Sequence, residues 1–191
     1  MTDPPSVDAD RLSGWERTET AVETVFDVGW FEVTTATVVY EDAGLRERIR
    51  EATGVDRTWR FFFASRVDVP GPSTSPALKR LVTIRAADGF VDRLTARGFA
   101  DVSEAGRRRL RVGDAEAHAI QYTGVCHVDG FVVDVDGWIA VWADGSGGFL
   151  LAGGAYPRAV ESAPDGGTAL SGLFDPAAFR EDLFALIRAT G

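Results

Sequence analysis

The chain has 191 residues, 45% of them hydrophobic, and its 29 acidic residues exceed its 20 basic residues to give a formal net charge of −9. This length and composition fit one globular domain and exclude a fibrous or wholly disordered protein. A single cysteine excludes an internal disulfide, and no apolar run approaches the roughly 20 residues that span a bilayer, so we expect a soluble cytoplasmic protein.

The basic residues are all arginine except Lys79. A surplus of acids with almost no lysine resembles the proteins of halophilic archaea, which keep molar salt in the cytoplasm. Salt at that level shortens the Debye length to about 3 Å, so surface carboxylates repel one another little. A GC-rich genome that favours arginine codons is the alternative explanation.

Residues 1–13, "MTDPPSVDADRLS", combine acids, prolines and serines, a composition typical of a disordered tail. The remaining residues, 14–191, are predicted to form one domain. Residues 30–40 read as a strand, and residues 41–54 predict a short helix with an Asp cap and a Gly stop. In residues 58–69, alternating large side chains predict a strand with one face in the core.

Residues 79–85, "KRLVTIR", are predicted to form another strand, and residues 87–98 a second amphipathic helix. Five strand-like runs with short turns then follow at 107–112, 115–124, 130–135, 138–143 and 148–156. This spacing predicts an antiparallel meander, because parallel neighbours need long crossovers. Asp175 and Pro176 begin a last helix with one apolar face.

These elements predict the α+β class: a curled antiparallel β-sheet, a meander, with helices packed on one side and a C-terminal closing helix. The last half of the chain contains the strings "VGDAEAHAIQY" (112–122), "GWIAVW" (137–142), "LLAGGAYP" (150–157) and "FREDLFALIR" (179–188). In this order they resemble the PsbP-like fold, which is shared with a family of Ran-binding nuclear-import factors. The resemblance implies a binding or assembly role and transfers no binding residue. A helix-grip lipid carrier is the second choice of fold.

The stretch "GVCHVDG" places the only cysteine, Cys126, beside His127. If the strand continues, the two side chains point to opposite faces and cannot act as a nucleophile and its base. With His118 the chain has too few Cys and His residues for a typical tetrahedral zinc site. We therefore predict an apolar role for Cys126 and no metal or cofactor.

The string "DVDGW" resembles part of a calcium loop through Asp134, Asp136 and Gly137. Val132 and Ala143, however, stand where that motif requires oxygen ligands. Asp-Gly is also a common hairpin dipeptide, so we predict a surface turn at residues 136 and 137.

The basic cluster "GRRRLR" puts Arg107, Arg109 and Arg111 on one face of a predicted strand. Guanidinium groups in a row can hold phosphate or a nucleic-acid backbone. The acidic surroundings and molar salt disfavour nucleic acid as the partner, and ion pairs across the sheet would satisfy the same arginines. Both the binding and the structural interpretation remain open at this point.

Trp138 and Trp142 supply large apolar area in the meander, either as packed core under the last helix or as the lining of a ligand cavity. With no catalytic constellation, the leading prediction is a non-enzymatic binding or assembly module for a protein partner or small ligand, with no membrane association. A carrier of a small apolar ligand, held between the sheet and the C-terminal helix, is the alternative. An enzyme acting on a small anionic substrate through Cys126 or the arginines is the third hypothesis.

We predict that the protein unfolds as salt is diluted, because its carboxylates then repel one another over a longer Debye length. Circular dichroism across a series from molar salt to dilute buffer measures this loss. A fold that is equally stable at both ends of the series would contradict the halophilic interpretation and favour codon bias.

Overall fold

The computed structural model describes residues 3–27, 32–69, 75–164 and 167–191. The strands in these ranges are β1 (Trp15–Asp27), β2 (Glu32–Asp42), β3 (Phe61–Asp68), β4 (Phe99–Val112), β5 (Ala115–Val128), β6 (Phe131–Ala143) and β7 (Phe149–Ser162). The helices are α1 (Ala43–Thr53), α2 (Pro76–Ala96), α3 (Gly167–Ser171) and α4 (Pro176–Arg188), and a 3-10 turn, Ala9–Arg11, precedes β1.

The described strands form one antiparallel sheet in the order β1-β2-β3-β7-β6-β5-β4. β1, β2 and β3 pair in chain order, as do β4 to β7, and β7 joins the two groups by pairing with β3. β1 and β4 remain as the edges of an open sheet. The α+β class, the antiparallel meander and the C-terminal helix are therefore confirmed. Residues 30 and 31 of the strand predicted at residues 30–40 lie outside the described residues.

The helices cover both faces of the sheet. Residues of α1, α3 and α4 join one apolar core, which includes Phe62, Trp138 and Leu183. α2 covers the opposite face with Phe90 and Leu94. The expectation that all helices pack on one side is wrong for α2, because the central strands are apolar on both faces and each face needs a cover. We call the two faces the α4 side and the α2 side.

Residues 79–85 form the first half of α2 and not the predicted strand. Ser75 caps the helix, since its Oγ accepts a hydrogen bond from the N–H of Leu78 (3.2 Å), and Pro76 occupies the first turn. Leu78 and Val82 then pack into the α2-side core at helical spacing. A window of a few residues hides this spacing, so the strand prediction is wrong.

β6 runs without interruption through Asp136 and Gly137, where the sequence predicts a turn. α2 crosses the sheet at this point, and a Cβ atom on Gly137 would lie 3.2 Å from ring atoms of Phe90. The turn before β6 is formed by Asp129 and Gly130, whose φ angles are 48° and 86°. The glycine at 137 therefore serves close helix–sheet packing, and the predicted turn there is wrong.

The N-terminal segment pairs with the C-terminus of the chain. Ser6 and Gly191 exchange backbone hydrogen bonds of 2.9 and 3.0 Å, and Val7 forms a β-bridge with Thr190. These bonds join Ser6 and Val7 to the residues that follow α4. The disorder that composition predicts for residues 1–13 stays a prediction.

A buried arginine connects α4 to the N-terminal half of the protein. Arg60 is 4% exposed, and its guanidinium donates to Oδ2 of Asp42 and to the carbonyl of Phe179, both at 3.1 Å. It also stacks on the rings of Trp15 and Phe179, 4.8 Å from each centroid. Asp42 in turn caps α1 through the N–H of Leu45. Because a buried charge is stable only when it is paired, this contact fixes α1, β1 and α4 relative to one another.

We predict that Gly154→Ala lowers the free energy of unfolding by at least about 2 kcal/mol, because the new Cβ would lie 2.1 Å from the carbonyl oxygen of Phe61. Gly89→Ala is the matched control, since nothing lies within 4 Å of its Cβ position and alanine stabilises a helix interior by up to about 1 kcal/mol. Urea unfolding measures both variants. Equal free energies of unfolding for the two would contradict this close pairing of β7 with β3.

Candidate functional site

Arg107, Arg109 and Arg111 lie on the edge strand β4 and are exposed. The side chain of Arg107 is 68% exposed and that of Arg109 is 73% exposed. In the sheet these two arginines lie opposite Ile120 and His118 of β5. Because Ile120 packs into the α2-side core, the three guanidinium groups project on the α2 side. We call these three residues the arginine strip.

Lys79 of α2 and His118 of β5 lie beside the arginine strip. Burial lowers the pKa of His118, the charges of Lys79 and Arg109 lower it further, and Glu116 opposes them. The lowered pKa favours the neutral imidazole of His118, which offers one hydrogen-bond donor and one acceptor among cationic groups. Sequence reasoning missed this grouping, because it depends on α2 crossing the sheet above β5.

Carboxylates neutralise part of the arginine strip. Nε of Arg107 lies 2.6 Å from Oε1 of Glu104, and Nη1 of Arg109 lies 3.5 Å from Oε1 of Glu116. The hydrogen bond from Arg107 holds the pKa of Glu104 below its usual value. Within the described residues, Arg111 has no ion pair. Exposed pairs of this kind contribute little stability, so an anionic partner can replace them.

Trp138 and Trp142 lie on the other side of the sheet, in the core beneath α4. They are 5% and 3% exposed, and the ring of Trp138 meets that of Phe184 edge to face with centroids 5.0 Å apart. Nε1 of Trp138 is buried without a hydrogen-bond partner among the described residues. The structure thus separates the predicted site residues into an exposed strip on the α2 side and packed rings on the α4 side.

Cys126 and His127 are successive residues of the unbroken strand β5, so their side chains point to opposite faces. Cys126 is half-buried, and burial raises the pKa of its thiol, while Arg57 lowers it to a smaller extent. Both observations oppose a thiolate activated by an adjacent imidazole.

Asp134 and Asp136 bind an arginine of the neighbouring strand. Nη2 of Arg158 lies 3.0 Å from Oδ2 of Asp134, and its Nε lies 3.4 Å from Oδ1 of Asp136. Burial raises the pKa of Asp136, whereas the positive charges of Arg158 and Arg180 lower it to a smaller extent. In the described ranges, no cluster of His, Cys, Asp and Glu has the arrangement of a metal site. The two acids therefore have a structural partner on β7.

The sequence of nearly the whole chain matches one protein family, a domain of unknown function, DUF6517, over residues 4–191. The chain belongs to the DUF6517 family. No curated protein sequence matches it. In the part of this DUF6517 protein that the structure describes, no helix combines the length and the apolar character needed to cross a membrane.

We predict that iodoacetamide alkylates Cys126 more slowly at pH 7 than it alkylates a free cysteine, because burial raises the thiol pKa and limits access. The rate should increase with pH and reach that of free cysteine when the protein is unfolded in guanidinium. Mass spectrometry of quenched time points gives both rates. Alkylation faster than that of free cysteine would instead indicate an activated thiolate.

Proposed function

We propose that this DUF6517 protein is a non-enzymatic binding or assembly module whose arginine strip binds an acidic surface of a protein partner. The observation that supports this most directly is the position of the strip. Arg107, Arg109 and Arg111 lie exposed on one edge strand, beside Lys79, in a chain of net charge −9. Such a local reversal of charge favours a partner with complementary carboxylates.

The charge pattern favours a protein partner over nucleic acid. Alternate residues of a strand lie about 7 Å apart, so the strip presents a short row of donors that matches a few carboxylates. Elsewhere the chain is strongly acidic and would repel an extended polyphosphate backbone. Binding to nucleic acid also weakens steeply as salt increases, and we propose a halophilic cytoplasm as the setting of this protein.

The carrier of a small apolar ligand is the second candidate function, and packing weighs against it. Edge-to-face contact of Trp138 with Phe184 fills the space between the sheet and α4. A pocket of about 240 Å³ does lie between the 3-10 turn and α4, but Asp10, Arg11 and Asp182 line it. This charged lining suits an apolar ligand poorly.

An enzymatic role is the third candidate, and the high thiol pKa of Cys126 weighs against it. A binding role also agrees with the resemblance of the C-terminal half to the PsbP-like fold, which we retain as a proposal.

Lys79 offers a direct test, because it is the only lysine in the chain and lies beside the strip. A carbodiimide couples a carboxylate to an amine only when the two groups are in contact. We predict that carbodiimide treatment in host lysate, at the salt of the host, links Lys79 to a carboxylate of a specific protein. Mass spectrometry of the linked peptides identifies both residues.

Two variants and one control variant separate this proposal from adventitious coupling. Lys79→Arg keeps the charge and removes the amine, so the link should disappear while binding persists. Reversal of the strip by Arg107→Glu, Arg109→Glu and Arg111→Glu should abolish the link, whereas Arg48→Glu, an exposed arginine on α1, should leave it unchanged. A link that survives reversal of the strip would contradict the proposed function.

A further inference from the structure

β4 is an edge strand whose second half is regular. In the described ranges it pairs with β5 alone, and register shifts interrupt this pairing between Ala100 and Ser103 and between Glu104 and Gly106. Residues 106–112 pair with β5 without a break. In an antiparallel edge strand, every second residue directs its N–H and C=O groups away from the neighbouring strand. Residues 106–112 therefore present a row of backbone donors and acceptors, roughly 20 Å long, at the edge of the sheet.

The arginine strip occupies one side of this regular segment, and the other side borders the core. The three guanidinium groups of the strip project on the α2 side, whereas Leu110 and Val112 are buried in the α4-side core. Arg108 lies on that same side, and its guanidinium stacks on the ring of Phe184, 5.0 Å from the centroid. A strand added at this edge would therefore meet a row of positive charges on the α2 side and the margin of the apolar core on the α4 side.

We propose that the acidic partner binds as an extended segment, which pairs with residues 106–112 of β4 as an added strand and carries a carboxylate at every second position. The proposal rests on the function proposed above, because it specifies how the partner of the arginine strip is held. Residues directly opposite one another on neighbouring strands point to the same face. Alternate carboxylates of the segment therefore meet alternate guanidinium groups of the strip at the same spacing of about 7 Å.

The arginine strip selects an acidic strand over the other strands that this edge could bind. Two copies of β4 paired about a two-fold axis at Arg109 would place Arg107 opposite Arg111 on one face, and these like charges repel. A neutral strand would cover exposed guanidinium groups and return no carboxylate to them. Arg111, which has no ion pair in the described part of the chain, gains one from an acidic strand. Repulsion of the wrong strands thus adds to attraction of the right one.

Backbone pairing also supplies an interaction that salt does not screen. At the molar salt that we propose for the host, the Debye length is about 3 Å, and exposed ion pairs contribute little. Hydrogen bonds between backbone groups act at contact distance, and in strand addition they provide much of the affinity while the side chains provide the specificity. An extended segment therefore binds the arginine strip under conditions in which a carboxylate surface held by charge alone binds weakly.

A blocked seven-residue peptide of alternating glutamate and threonine, titrated into the labelled full chain at molar salt, tests this mode of binding. In a peptide that pairs with β4, the N–H groups of one alternate set point to β4 and those of the other set point to solvent. N-methylation of the set that points to β4 should weaken binding at least about tenfold, and N-methylation of the other set, the matched control, should change it by less than about twofold. NMR chemical shifts of the protein give all three affinities, and hydrogen exchange shows which amides of residues 106–112 become protected.

The outcomes separate the extended mode from the proposed function itself. Reversal of the strip by Arg107→Glu, Arg109→Glu and Arg111→Glu should abolish binding of the unmodified peptide. If that variant loses binding but the two N-methylated peptides bind the natural sequence equally well, the strip binds acids by charge alone; the extended mode is then overturned and the proposed function stands. No binding of the unmodified peptide at millimolar concentration, or binding that protects no amide of residues 106–112, also overturns the extended mode. Unchanged binding after reversal of the strip would overturn both proposals.

Discussion

Burial of both faces of the sheet is the constraint on which the rest of this structure depends. Residues 61–65 of β3 and 149–157 of β7 are buried without interruption, because these strands lie at the centre of the sheet. Phe62 fills one face, while Gly153 and Gly154 let the neighbouring backbone and α4 approach closely. A core on two sides requires helices on two sides, so α2 has to leave β3 and cross to the far edge.

The same constraint decides where function can reside. Packing uses the side chains at the centre, including Trp138 and Trp142, and leaves charged groups to the edges and to the outer faces of helices. Edge strand β4 presents the arginine strip, and α2 brings Lys79 beside it. Arg60 and Glu41 are the charged residues that are buried in the described ranges, and Arg60 is stable there because carboxylates, a carbonyl and two rings surround it. The contacts of Arg60 position α1 and α4, whereas the arginine strip is exposed on the α2 side.

The elements that sequence reasoning predicted well are those with local signals. Asp42, Gly54 and Asp175 cap or end α1 and α4 through hydrogen bonds to residues a few positions away, and such signals are visible in the sequence. Short turns between β4 and β7 permit only antiparallel neighbours. β1 gave no such signal, because the polar string of residues 15–27 becomes a strand only by pairing with β2. The turn predicted at Gly137 was wrong, because this glycine allows α2 to pack closely on β6. α2 lies 40 to 60 residues earlier in the chain, so no local signal shows this contact.

The sequence by itself determined the charge balance, the helix caps, the antiparallel order of the C-terminal strands and the opposite orientation of Cys126 and His127. These properties depend on residue types and on backbone geometry within a few positions, which the chain carries wherever it folds. The tertiary structure alone decided that α2 covers the second face, that the arginine strip and the tryptophans lie on opposite sides, and that Lys79 lies near His118. These arrangements depend on which face a crossing helix must bury, and that is a property of the assembled sheet and of no local segment.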